Sequence, residues 1–205
     1  MKREIELIIV IACFSIVAFS CKGKQGKIES YVQALEQSEG LQKTVRAGQV
    51  VYKFSLQTAE SMALRDSYDQ DKKYLDDRGY KKRLVELDGY MFIRIDHRVE
   101  GKDIPILQYN CNGNKEYEKR LMYYEFSAAN DIRLVCNGSE YPPSSYHYEN
   151  RLGLSAINTI IVAFPKCQNA ESWQVTFNDQ GLNNLLLKAN FYNKDIEELP
   201  SLVIK

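Results

Sequence analysis

Val50-Val51-Tyr52-Lys53-Phe54-Ser55-Leu56-Gln57 is the stretch on which the fold turns. Val50, Tyr52, Phe54 and Leu56 alternate with Val51, Lys53, Ser55 and Gln57, so one side of an extended chain is apolar and the other mostly polar. Side chains alternate across a strand with period two, and that pattern predicts a half-buried β-strand. The same period returns in Tyr90–Val99, where Met91, Ile93, Ile95, His97 and Val99 share a face.

Working outward, further strands are expected at Leu84–Leu87, Ile104–Cys111, Arg120–Phe126, Ile132–Cys136, Thr159–Phe164, Trp173–Phe177 and Leu185–Tyr192. Asp88-Gly89 reads as a tight turn joining the first of these to Tyr90–Val99. Short strands at regular spacing predict a mainly β, antiparallel sandwich or barrel over residues 44–205. Strand should exceed helix by about two to one. Thr58–Arg83 fits neither period, and Asp76-Asp77-Arg78-Gly79 reads as a turn.

Ahead of the β-rich region, Ile28, Tyr31, Val32 and Leu35 recur at helical spacing and Gly40 offers a stop. A short helix is expected from Lys27 to about Ser38, within a segment spanning residues 27–40, and it should be the only long helix. Its apolar stripe must dock on something, since an isolated helix of this length is marginal in water. Residues 21–26, with Lys22, Gly23, Lys24 and Gly26, read as a tether.

Residues 1–20 have the make-up of a signal peptide: Met1-Lys2-Arg3, an apolar run from Leu7 to Phe19, and Ser20 directly before Cys21. The run is shorter than the roughly 20 residues that span a bilayer. Ala18-Phe19-Ser20-Cys21 resembles the lipobox of bacterial lipoproteins. The resemblance implies cleavage before Cys21, lipid attachment to Cys21, and a membrane as partner through that lipid. With Lys22 following the cysteine, it further implies the outer membrane of a Gram-negative envelope. Ala18-Phe19-Ser20 also satisfies an ordinary small-x-small cleavage site, which would release a soluble periplasmic or secreted protein.

The 205 residues balance 27 basic against 27 acidic side chains, and the leader carries no net charge away. With no basic excess to neutralise phosphates, nucleic-acid binding is not expected. Fourteen tyrosines and eight phenylalanines supply core material. Apart from Cys13 and Cys21, the cysteines are Cys111, Cys136 and Cys167. With Cys21 acylated, this odd set allows at most one disulfide, for which Cys136–Cys167 is favoured, both lying near strand ends; with Cys21 free, four cysteines could make two.

Catalytic motifs are absent from the sequence: no nucleophile elbow, phosphate-binding glycine loop, His-Glu-x-x-His or Cys-x-x-Cys occurs. No cofactor or metal is expected. His147 with Glu149 and His97 is the one imaginable metal set, but His97 reads as a core-edge residue. Asn110 to Glu116 lacks the register of a calcium loop and reads as a polar turn, as does Asn137-Gly138-Ser139. Asp66, Asp69, Asp71, Asp76 and Asp77 interleave with Lys72, Lys73, Arg78, Lys81 and Lys82, the pattern of a solvated, self-neutralising face.

Two stretches look alike. Ile93-Arg94-Ile95 leads to Gly101 and Pro105, and Ile132-Arg133-Leu134 leads to Gly138 and Pro142, through duplication or chance.

The candidate ligand-binding segment is Tyr141-Pro142-Pro143-Ser144-Ser145-Tyr146-His147-Tyr148. Paired prolines hold it extended, and Tyr141, Tyr146, His147 and Tyr148 offer contact area at low entropic cost. The function expected is non-catalytic binding of a glycan or protein. The alternatives are a hydrolase of envelope polymers and a structural subunit of an envelope assembly.

Overall fold

The structure is a computed structural model describing residues 25–26, 28–69, 74–151, 154–182 and 184–202. The signal peptide, Cys21, Asp71, Lys72 and Lys73 lie outside the described residues. In chain order the elements are β1 (Gln25–Gly26), α1 (Ile28–Gln37), β2 (Gln42–Ala47), β3 (Val50–Gln57), α2 (Ala59–Ser67), β4 (Tyr68–Asp69), β5 (Tyr74–Leu75), α3 (Asp77–Leu87) and β6 (Tyr90–Val99). A 3₁₀ turn (Ile106–Gln108) precedes α4 (Asn114–Met122), which runs into a π turn (Tyr123–Ser127) and a second 3₁₀ turn (Ala128–Asp131). The rest is β7 (Ile132–Cys136), β8 (Ser139–Tyr141), β9 (Ser145–Glu149), β10 (Asn158–Pro165), β11 (Ser172–Asp179), β12 (Leu185–Tyr192), α5 (Asn193–Glu197) and β13 (Ser201–Leu202).

Two antiparallel sheets form a sandwich and do not close into a barrel. One has the order β2-β3-β6-β10-β9 and the other β12-β11-β7-β8. Their facing sides carry the alternating apolar residues: Tyr52, Phe54 and Leu56 from β3, Ile93 and Ile95 from β6, Ile160, Val162 and Phe164 from β10, against Leu134, Val175, Phe177 and Phe191. Every one of the β6 residues placed on one face by sequence, His97 included, is buried.

A second, smaller core forms on the outside of the five-stranded sheet. Phe92 and Ala163 are register partners there, and they pack with Tyr31, Met62, Leu64, Tyr80 and Leu87. Thus α1, α2 and α3 cover one end of that outer face. Thr58 starts α2 by accepting from the Ser61 N–H at 3.1 Å, and its hydroxyl also meets the Tyr31 hydroxyl at 2.6 Å.

Strand accounts for 40% of the described residues and helix for 33%, so the expected two-to-one excess is wrong. Three expected strands are not strands. Leu84–Leu87 is the end of α3, Arg120–Phe126 is helix and π turn, and Ile104–Cys111 contains a 3₁₀ turn. Asp77 and Gly79 lie within the first turn of α3 rather than in a turn, and α3, at 11 residues, outlasts the 10-residue α1. Asp88-Gly89 does turn the chain, with Gly89 at φ 96°, but between a helix and a strand. Residue 44 falls inside β2, so the β-rich region begins earlier than expected.

The two look-alike stretches sit differently. Ile93–Ile95 lies mid-sheet between β3 and β10, whereas Ile132–Cys136 turns through Asn137-Gly138 into a hairpin. Both turn residues have positive φ (50° and 76°), the backbone a two-residue hairpin loop requires. No helix among the described residues is long and apolar enough to cross a membrane.

Candidate functional site: a groove on the outer face of the five-stranded sheet

Because Tyr52, Phe54 and Leu56 point into the sandwich, Lys53, Ser55 and Gln57 must point out; Arg94 and Asp96 do likewise from β6. Pairing lines these residues into two rows across the sheet. Lys53, Asp96, Thr159 and Glu149 stand side by side, and next to them Ser55, Arg94, Ile161 and His147. Asp96 is the hub. It accepts from Arg94 Nε at 2.8 Å and from the buried Thr159 hydroxyl at 2.6 Å. Asp96 holds the Arg94 guanidinium above its ordinary pKa, with a further contribution from Glu149.

The helices that cover the far end of this face turn the open part into a groove of about 640 Å³. Its floor is Lys53, Ser55, Gln57, Arg94 and Asp96. One wall is α1, presenting Glu29, Val32, Gln33 and Glu36; the other is α2 with Ser61, Leu64 and Arg65, continued by Tyr68. Polar groups fixed by hydrogen bonds beneath partly apolar walls are the make-up of a binding site.

The segment expected to bind ligand is oriented the other way up. Tyr148 is buried, accepts from Asn158 Nδ2 at 2.8 Å, and stacks on Tyr124 with ring centroids 5.6 Å apart. Half-buried Tyr146 donates its hydroxyl to the Tyr124 carbonyl oxygen. Burial pushes both phenols' pKa values upward. These two rings fasten β9 to the domain and do not form the exposed aromatic face expected of them. His147 and Glu149 are the residues turned outward, onto the same face as Arg94 and Asp96. Tyr141 is 41% exposed and borders a separate pocket of about 250 Å³ beside Cys136 and Cys167. Those cysteines are joined in a disulfide with Cα atoms 6.4 Å apart, while Cys111 is a half-buried free thiol.

His97 lies in the sandwich core, stacked on Tyr52 at 5.4 Å. The described residues contain no group of three or more His, Cys, Asp or Glu able to hold a metal ion. Asp66 pairs with Arg83 and Asp77 with Lys81, both at 2.8 Å on exposed helix faces. Asn112 N–H donates to Glu116 at 2.8 Å, closing the polar turn there.

Sequence reasoning passed over Lys53, Arg94 and Asp96, although the signal was present: they are the outward half of the two clearest alternating runs. Glu29 and Glu36 were legible as the polar side of α1, but not as a wall. Asp179 was also missed. It has the same parity as Trp173, Val175 and Phe177 in β11, so it must face the core, where it accepts from Tyr52 at 2.6 Å and Tyr124 at 2.8 Å. No family model, curated protein or solved structure matches the chain.

Proposed function

We propose that the chain is an envelope lipoprotein whose β-domain binds an extracytoplasmic ligand, without catalysis, in the groove between α1 and α2. Export, cleavage before Cys21 and acylation of that residue would tether it, in the outer membrane of a Gram-negative cell. The groove is the observation that carries this reading: it offers two walls and a hydrogen-bonded floor on a rigid sheet. The floor carboxylate, Asp96, already accepts from a guanidinium and a hydroxyl. The Cys136–Cys167 disulfide supports an extracytoplasmic address, since disulfides persist in oxidising compartments.

The test is a photo-crosslinking residue placed in living cells at Gln33, in the groove wall, or at Lys188, on the outer side of the other sheet. An adduct at Gln33 that is absent at Lys188 and weakened by Arg94→Ala is expected. Equal adducts at both positions, or none at Gln33, would refute the groove. Intact mass of membrane-extracted protein should show an acylated Cys21, and an unmodified soluble chain would refute the anchor.

A further inference from the structure

His97 is fully buried, and both its ring nitrogens lack a hydrogen-bond partner. A neutral imidazole brings one N–H donor and one acceptor into that site, whereas an imidazolium would bring two unanswered donors and a charge. Both sheets and the π turn close around the ring. Tyr52 of β3 and Asn158 of β10 are its register partners on either side, and Tyr52 stacks on it at 5.4 Å. Tyr124 of the π turn is the other ring against it, with centroids 5.2 Å apart. Tyr148 of β9 stacks on Tyr124 and accepts from Asn158. Asp179 of β11 and Asp96 of its own strand are the charged groups that act on it. Both are engaged elsewhere: Asp179 by the hydroxyls of Tyr52 and Tyr124, Asp96 by Arg94 and Thr159. Burial outweighs their pull and lowers the His97 pKa.

We propose that Tyr123–Asp131, the π turn with the 3₁₀ turn after it, is an acid-operated flap, which protonation of His97 releases from the sandwich. This segment is the covering element that can move. Tyr52, His97 and Asn158 sit side by side in paired strands, and separating them would tear the ladder. Tyr123–Asp131 belongs to neither sheet. Side chains fasten it: the Tyr124 hydroxyl to Asp179 at 2.8 Å, Asn150 Nδ2 to Glu125 at 2.8 Å, Gln180 Nε2 to Asp131 at 2.9 Å, and the Tyr146 hydroxyl to the Tyr124 carbonyl. Segments held in this way open at lower cost than paired strands. Once Tyr124 swings away, water reaches the His97 ring and solvates the imidazolium. The closed form holds His97 neutral and the open form takes a proton at about 6.5, so opening is favoured as pH falls below that value. From pH 7 to pH 5 the opening constant should rise about 25-fold.

Native-state hydrogen–deuterium exchange of the full chain, at pH 7 and pH 5 in low urea, reads the opening once rates are corrected for the intrinsic pH dependence of exchange. Opening at the amides of Tyr123–Asp131 should be about 25-fold greater at pH 5, with little dependence on urea. Amides of β3, β6 and β10 should instead exchange through urea-dependent global unfolding. His97→Phe should abolish the rise in the flap. Tyr124→Phe keeps the ring and loses the bond to Asp179, so it should raise opening roughly tenfold at pH 7 and keep the pH dependence. The unsubstituted chain decides by itself if His97→Phe fails to fold. A rise below about threefold in Tyr123–Asp131 overturns the inference. So does a urea dependence there equal to that of β6, or a rise that survives in folded His97→Phe. The groove lies on the outer face of the five-stranded sheet, away from His97, and stands or falls separately.

Discussion

Replacing Asp179 by alanine should be among the most destabilising single changes in the domain. Asp179 is fully buried and joins both halves of the sandwich. It accepts from the Tyr52 hydroxyl of the five-stranded sheet at 2.6 Å, from Tyr124 of the π turn at 2.8 Å, and from the Gly181 N–H at 3.0 Å. Alanine strands two buried hydroxyls, each costing roughly 1–3 kcal/mol, and the part-buried Gly181 N–H. Removing a buried charge returns part of that through relieved desolvation. A net loss of about 4 kcal/mol is expected, a large share of the roughly 5–15 kcal/mol typical of a domain. Urea unfolding followed by fluorescence of the single, buried Trp173 measures it directly. The triple variant Asp179→Leu, Tyr52→Phe, Tyr124→Phe should be more stable than Asp179→Ala alone, because it leaves no hydroxyl stranded. A cost below about 1 kcal/mol for Asp179→Ala would refute the reasoning, given the orphan penalty it assumes. So would a triple variant weaker than the single one.

His97 is buried with both ring nitrogens lacking a hydrogen-bond partner, and burial lowers its pKa despite Asp179 and Asp96 nearby. Stability should therefore be full above the unfolded value of about 6.5 and fall below it by up to about 1.4 kcal/mol per pH unit; His97→Phe should remove that slope in urea titrations at pH 7 and pH 5. Tyr146→Ala, Tyr148→Ala should lower stability by about 3 kcal/mol or more, since the rings are core supports; an unchanged melting temperature would contradict their placement. Converting Cys136 and Cys167 to serine opens a link of 31-residue separation and should cost about 3–4 kcal/mol in the same assay.

Much of the sandwich was legible because its strands have one wet and one dry face. Val50–Gln57, Tyr90–Val99, Ile132–Cys136 and Leu185–Tyr192 were read to the residue, and β10 and β11 to within one or two at each end. The failures share a cause: tertiary contacts overrode local preference. Arg120–Phe126 is rich in strand formers, yet the Arg120 guanidinium reaches back to the carbonyls of Ile106, Leu107 and Tyr109 and across to Gly181, which fixes a helix there. In α3, Tyr80, Leu84 and Leu87 do recur at helical spacing, but Gly79 and the adjoining Asp88-Gly89 masked it. The site was half visible. Its floor could be deduced from strand parity, whereas its walls depend on where α1 and α2 settle, which no local period reveals. The tyrosines of β9 misled because tyrosine serves equally as contact surface and as core with a hydrogen-bonding tip.

The most direct test of the account is hydrogen–deuterium exchange of the full chain, compared between isolated envelope vesicles and detergent-purified protein. Occupancy of the groove predicts added protection in α1 and α2, at Ile28–Gln37 and Ala59–Ser67, with β9 unchanged. Protection confined to Ser139–Glu149, or none in α1 and α2, would contradict it and move the binding surface off the groove.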